Sequence, residues 1–259
     1  MRLVKILALA AVAATVAAGS ATAEMRKVRI GTEGAYPPFN SIDADGKLVG
    51  FDIDIANALC EAAKFDCEFV VQDWDGIIPA LQANKYDAII ASMSITPKRK
   101  EVVDFTNKYY NTPAKFIGAE GGDFDFTEGT GLDGAKIGVQ GSTIHEDFAR
   151  AKWPEAEVVT YGTQDEANAD LVSGRLDLVM ADSVALDEGF LKTDAGSGFA
   201  FLGPDYNDPA YHGEGAGIAI RKGEQDLVDA FNAAIEQIRA DGTYKEIQDK
   251  YFTYDVYGE

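Results

Sequence analysis

Two successive runs of alternating strand and helix patterns constrain the fold of this 259-residue chain more than any single motif does. In the first run, KVRIGTE (27–33) reads as a strand, and PPFNSIDADGKLVGF (37–51) as a hairpin turning at Asp45-Gly46. DIDIANALCEAA (52–63) places Ile53, Ala56, Leu59 and Cys60 on one helical face. The strand CEFVVQ, the helix IIPALQANK and the strand YDAIIAS follow, and Thr96-Pro97 opens another helix. The second run reads AKIGVQ (strand), STIHEDFARAK (helix), AEVVTY (strand), TQDEANADLVSGR (helix) and LDLVMAD (strand). Each run has the grammar of an open, mostly parallel α/β sheet.

Two such sheets imply two lobes, and two segments are placed to join them. One is KYYNTPAKFIG (108–118), which is extended and holds Pro113; the other is YHGEGAGIAI (211–220), where Gly213, Gly215 and Gly217 permit unusual backbone angles. The helices in DLVDAFNAAIEQIRADG and TYKEIQDKYF come after the second join and have no sheet of their own. They are expected to return to the first lobe. That predicts a discontinuous lobe 1 (24–111 and 215–259), a lobe 2 (112–214), and hinge segments near 111–115 and 207–215. A cleft between lobes on a two-segment hinge suits ligand-driven closure.

The first 23 residues give a basic start (Arg2, Lys5), an apolar run from Ile6 to Ala18, and Ala21-Thr22-Ala23. That is the layout of a secretory signal peptide cleaved after Ala23. The run is shorter than the roughly 20 apolar residues a membrane span requires. Loss of Arg2 and Lys5 with the leader takes the formal charge from −20 to −22, a poor match for nucleic acid or anionic lipid. No cysteine follows the expected cleavage point directly, which argues against a lipid anchor. Cys60 and Cys67 are the only cysteines. In an oxidising compartment an isolated close pair reads as a disulfide, the alternative being two buried thiols.

Enzymatic signatures are mostly missing. His145 and His212 are far apart and lack paired zinc-ligand spacing; each is expected at the surface or in the cleft. GEGAG does not match the dinucleotide fingerprint, GVQGST lacks the lysine of a P-loop, and DADG lacks EF-hand spacing. No G-x-S-x-G elbow occurs. The expectation is a binding protein with no cofactor and no metal.

One stretch, SMSITPKRKEVVDF (92–105), breaks a local rule. Thr96 reads as an N-cap and Pro97 as the first helical residue. A helix start favours anions, yet Lys98, Arg99 and Lys100 follow. A guanidinium beside free N–H groups grips a carboxylate bidentately, and Ser92 and Ser94 end the preceding strand, at the edge where open α/β sheets bind ligands. The bland alternative pairs Arg99 with Glu101 or Asp104 on the surface. Lys98 and Lys100 are expected to be solvated.

The segments GTEGAYPPF, GFDIDIANALC, WDGIIPAL, YDAII, SMSITPKR, IGVQGST, DEGFL and ADGTYKEIQDKYF resemble the periplasmic amino-acid-binding proteins of ABC importers. The subgroup they are most similar to comprises the lysine/arginine/ornithine and histidine binders, and the resemblance spans essentially the whole chain after residue 23. It implies a two-lobed type II periplasmic-binding-protein fold that closes over one amino acid and delivers it to a membrane permease. By the same resemblance Arg99 holds the ligand α-carboxylate, with Ser94 and Thr143 as further donors. Asp182 takes the α-ammonium with help from Ser92, the alternative for Asp182 being an ordinary helix cap. Tyr36 and Trp74 sandwich the ligand side chain, and Glu33 faces its distal cation, unless Glu33 is a solvated loop residue. Ala91, Met93, Val139 and Ser142 complete the implied ligand-binding set.

Three positions depart from the subgroup's pattern: Ala91 replaces a frequent serine, Ile144 a frequent glutamine, and Glu33 a shorter aspartate. The expected function is therefore capture of a cationic L-amino acid (arginine, lysine or ornithine, with histidine also in range) by a monomeric periplasmic protein. The rivals are an opine or a neutral polar amino acid as ligand, and a dehydratase on the same fold, which needs a general acid in the cleft. A receptor sensor domain would need membrane or kinase segments that this chain lacks.

Overall fold

The computed structural model describes residues 25–258; the expected signal peptide and its cleavage point lie outside them. The chain opens with β1 (Arg26–Thr32), β2 (Ala35–Tyr36), β3 (Asn40–Ile42), β4 (Leu48–Val49), α1 (Phe51–Ala63), β5 (Phe65–Val71), α2 (Ile77–Gln82), β6 (Ala88–Ile89), α3 (Pro97–Lys100) and β7 (Val103–Tyr110). It continues with β8 (Ala114–Ala119), β9 (Lys136–Gln140), α4 (Ile144–Lys152), β10 (Glu157–Tyr161), α5 (Gln164–Val172), β11 (Leu178–Asp182), α6 (Ser183–Leu186), β12 (Phe199–Tyr206) and α7 (Pro209–His212). β13 (Ala216–Arg221), α8 (Gln225–Ala240) and α9 (Thr243–Tyr251) complete it.

Two five-stranded sheets form, in the orders β5-β1-β6-β13-β7 and β10-β9-β11-β8-β12. In each, four strands run in one direction and one, β13 in the first sheet and β8 in the second, runs against them, so this is the expected α/β class with two lobes. Strand β5 begins two residues before the stretch expected from CEFVVQ, because Lys64 caps α1 in a left-handed conformation and turns the chain immediately. The predicted hairpin forms as β3 and β4. Its turn is held by Asp43, whose carboxylate accepts from the N–H groups of Asp45 and Lys47.

The C-terminal helices return to the first sheet. Leu227, Phe231, Ile235 and Ile238 of α8 and Tyr244 and Ile247 of α9 share one core with Ile30, Phe51, Ile55 and Leu59, whose burial supplies most of the drive for that return. The chain crosses between sheets after β7 and again before β13. The second crossing is zipped to the segment after β6: Ile95 donates to the Gly215 carbonyl at 2.8 Å and Glu214 to the Ile95 carbonyl at 3.1 Å. Gly213 and Gly215 have φ of +71° and +108°. Gly217 is required for a different reason: a Cβ there would lie 2.6 Å from the Ile95 side chain.

The structure contains a Cys60–Cys67 disulfide joining the end of α1 to β5. Among the described residues no helix is long and apolar enough to cross a membrane.

Candidate functional site

The carboxyl ends of β1, β6, β9 and β11 converge on one cavity between the sheets. Open α/β sheets bind ligands at this edge. The cavity is lined by Glu33 just past β1, Tyr36 on β2, and Trp74 in a short turn before α2. Ala91, Ser92, Ser94 and Arg99 reach it from the segment after β6. Gln140, Thr143, Ile144, His145 and Asp182 line it from the second sheet.

Of the twelve residues implied by the resemblance, nine line this cavity. The other three sit elsewhere. Met93, in the irregular segment after β6, is fully buried in the core beside α2, and Val139, on β9, in the core between β9 and α4. Ser142 is exposed and faces the site only through its carbonyl, which accepts from the Trp74 indole N–H at 3.2 Å. Gln140, Ile144 and His145 join the lining. Gln140 carried no signal beyond ending a predicted strand.

Arg99 occupies the site in a way the sequence only half anticipates. Thr96 does cap the segment, its hydroxyl accepting from the Arg99 N–H at 3.2 Å. Yet α3 is a single turn of four residues, so it offers little of the dipole invoked for a longer helix. The guanidinium is held by its own geometry instead. It donates to the Ser94 carbonyl at 3.1 Å and lies 5.2 Å from the Trp74 ring centroid, a cation–π arrangement. It has no salt bridge to either surface candidate: Asp104 pairs with Lys222 instead, and Glu101 is exposed. Partial burial brings its pKa down to about 10, which leaves a half-buried cation at neutral pH.

Asp182 is the opposite pole. It precedes α6 but makes no side-chain cap, which removes the ordinary-cap alternative. Its carboxylate accepts from the Tyr36 hydroxyl at 2.8 Å and from Thr112 at 3.2 Å, and lies 3.6 Å from His145 Nε2. Burial pushes this carboxyl up, but His145 and the Tyr36 hydroxyl together hold it below its ordinary value. His145 and His212 are both buried, with ring centroids 6.3 Å apart.

Glu33 is buried and not a solvated loop residue. It accepts from the Gln140 amide at 2.5 Å, and Gln140 also donates to the Gly162 carbonyl at 3.1 Å. Burial raises the Glu33 pKa to about 7, against the hydrogen bond from Gln140.

Tyr36–Asp182, Glu33–Gln140 and Trp74–Ser142 all link one sheet to the other, as does the rim pair Lys98–Asp147 at 2.7 Å. Lys98 and Lys100, expected to be solvated, thus pair with acids, Lys100 reaching Glu214 at 2.6 Å. Both pairs are exposed and contribute little stability. Among the described residues no cluster of three or more potential metal ligands occurs. The cavity therefore presents a half-buried cation, Arg99, a half-buried anion, Asp182, and a second, buried carboxyl, Glu33.

Comparison with known proteins agrees with this geometry. Residues 28–254 match the bacterial extracellular solute-binding proteins, family 3. The chain is 54% identical to an L-arginine-binding protein of Pseudomonas aeruginosa over 98% of both sequences. It is 44% identical to the lysine/arginine/ornithine-binding periplasmic protein of Escherichia coli, covering 94% of each. A Salmonella typhimurium periplasmic binding protein, described by its high arginine specificity, superposes with a TM-score of 0.80 at 36% identity, covering 88% of this chain and all of that one. Two five-stranded α/β lobes closed on a charged cavity, a match across nearly the whole chain, and relatives of this similarity make the chain a member of the bacterial extracellular solute-binding proteins, family 3.

Proposed function

We propose that this protein captures a cationic L-amino acid in the periplasm (arginine, lysine or ornithine, with histidine also in range) and delivers it to an ABC transporter permease. The observation that carries the reading is the pairing within one cavity of Arg99, a half-buried cation without a salt-bridging acid, with Asp182 and Glu33. Such a cavity complements a molecule carrying a carboxylate, an adjacent ammonium and a distal cation.

In this reading Arg99 takes the α-carboxylate with Ser94 and Thr143, Asp182 takes the α-ammonium with Ser92, and Tyr36, Trp74 and Glu33 hold the side chain. A cation against these aromatic faces gains roughly 0.5–2 kcal/mol, and a charge-assisted hydrogen bond to Glu33 adds about 1.5–3 kcal/mol. The lobes divide at 24–111 with 215–259, and 112–214. The leader is cleaved after Ala23, and the mature protein acts as a monomer. The 54% identical arginine binder and the arginine-specific structural relative support arginine first.

A neutral polar ligand such as glutamine is the second reading, favoured by one observation. Burial holds the Glu33 carboxyl near 7, and the protonated form donates a hydrogen bond without demanding a cation. Protein unfolded to strip bound solute and refolded is to be titrated calorimetrically with each amino acid. Arginine, lysine or ornithine should bind at least ten-fold more tightly than glutamine. Equal affinity for glutamine or glutamate would place the protein outside the cationic class.

A further inference from the structure

Behind the cavity, α1 contributes a carboxylate that never reaches it. Asp52 is fully buried and does not line the site. Three donors converge on it: the Ser92 hydroxyl at 3.0 Å, the Asn40 amide at 2.9 Å and the Tyr109 hydroxyl at 2.8 Å. Its backbone N–H donates to the Phe39 carbonyl at 2.7 Å, and Asn40 accepts from the Gly34 N–H at 2.8 Å, so the cluster ties α1 to the loop that carries Glu33 and Tyr36.

The direction of these bonds is fixed. An ionised carboxylate only accepts, so Ser92 and Tyr109 both point their hydroxyl protons at Asp52. The Tyr109 oxygen then accepts from the Ser92 N–H at 3.2 Å. Serine owns two donors, its N–H and its O–H, and here both are taken on the side away from the ligand. Ser92 is itself at φ +55°, a left-handed angle that side chains rarely adopt and that these two bonds hold in place. What Ser92 has left for the cavity is acceptors only: hydroxyl lone pairs and a carbonyl oxygen. Burial lifts the Asp52 carboxyl to about 6 against the pull of its donors, so it remains predominantly ionised at neutral pH.

We infer that Asp52 is a positioning residue for the α-amino end of the ligand: together with Tyr109 it makes Ser92 an acceptor-only group, which welcomes an ammonium and turns away a carboxylate. Arg99 and Asp182 set the two poles of the zwitterion. The Asp52 cluster adds a hydrogen-bond polarity that distinguishes N–H donors from oxygen acceptors at one point of the wall. This rests on the amino-acid-binding reading of the same cavity.

The test compares L-arginine with its α-hydroxy analogue, whose hydroxyl both donates and accepts, in wild type, Asp52→Asn and Tyr109→Phe. Asparagine keeps one accepting oxygen and presents an N–H₂ in place of the other, so the donors that converge on Asp52 can no longer all be accepted, and phenylalanine frees the Ser92 N–H. Each variant should lose roughly ten-fold of the wild-type preference for arginine over the hydroxy acid, the loss falling on arginine. A purely structural role would weaken both ligands by the same factor, and that outcome overturns the proposal. If Asp52→Asn does not fold, as judged by circular dichroism, Tyr109→Phe decides alone. Running glutamine against its α-hydroxy counterpart separates the two readings. Should wild type ignore arginine yet show a glutamine preference that the variants lose, the cationic ligand falls and the role of Asp52 stands.

Discussion

The Gln140 amide reaches across the cleft to the Glu33 carboxylate at 2.5 Å, joining the end of β9 in one lobe to the end of β1 in the other. Glu33, buried behind this contact, gives the distal end of the cavity both its charge and its pH dependence. A neutral donor satisfies one oxygen of Glu33 without balancing its charge, so burial dominates and the carboxyl rises to about 7.

Cation binding must then compete with a proton. Arginine requires the ionised carboxylate, so binding lowers the Glu33 pKa and expels a proton from whatever fraction holds one. Arginine affinity should be highest above pH 7 and fall as pH drops through about 7, by up to about ten-fold per unit until the pKa of the complex is reached. Glu33→Gln should weaken arginine and flatten the curve in that window. Calorimetry at pH 5.5, 7.0 and 8.5 in wild type and variant checks this. A flat wild-type profile would rule out Glu33 as the counter-ion.

The same shift makes Glu33 costly to the unliganded fold. Its folded pKa lies above the ordinary value, so its stabilising contribution is fully present below about pH 4.5 and is lost as pH rises through about 7. Glu33→Gln should therefore raise the stability of the ligand-free protein at pH 8 by on the order of 2–3 kcal/mol, and change it little at pH 4.5. Urea denaturation at the two values measures the difference; a loss of stability at pH 8 would contradict it.

How far the sequence announces this site differs from residue to residue. Alternating patterns reveal both sheets, because strand and helix periods are local properties, and Arg99 stands out because it violates a local rule at a helix start. The true reason for its placement is not local, since α3 is only one turn and the guanidinium rests on Ser94 and Trp74. Asp52 in GFDID looks like a favourable acidic residue in the first turn of α1, and nothing in its neighbourhood says that it meets Ser92, 40 residues away. Gln140 is equally silent, its partner lying 107 residues back. Met93 and Val139 differ again: the resemblance places them in the implied set, while the structure sets both side chains in the cores, Val139 through the alternation of β9 and Met93 from the irregular segment after β6.

Backbone geometry at the second crossing gives a prediction independent of ligand. At Gly215, φ is +108° and a Cβ would lie 2.6 Å from the Tyr110 carbonyl oxygen; at Gly46, φ is +78° and a Cβ would meet nothing within 4 Å. Gly46→Ala should cost about 1–2 kcal/mol, the ordinary penalty of a side chain in left-handed backbone. Gly215→Ala adds a clash with backbone that has no room to give, and should lower stability by clearly more. Thermal melts of the two variants, compared at one pH, give the ranking directly. Equal melting temperatures would mean that this crossing adapts freely.

Arg99 offers the sharpest separation between stability and binding. Its guanidinium is half-buried without a salt bridge, and its pKa of about 10 reflects that partial desolvation. Desolvating a charge without a partner is destabilising, so Arg99→Ala should leave the ligand-free protein as stable as wild type or more so. Binding should respond in the opposite direction. If the α-carboxylate is the missing partner, removing the guanidinium leaves that carboxylate buried and unpaired, at a loss of roughly 2–5 kcal/mol. Arg99→Lys restores a positive charge but not the planar fork that meets two oxygens at once, nor the flat face set against Trp74. It should recover only part of the affinity. Stability by chemical denaturation and affinity by calorimetry, measured on the same three proteins, therefore move apart: stability level or rising from wild type to alanine, affinity falling steeply. A variant that loses stability while binding arginine as wild type does would mark Arg99 as structural support for the cleft wall, and would move the search for the carboxylate's partner to the donors of Ser94 and Thr143.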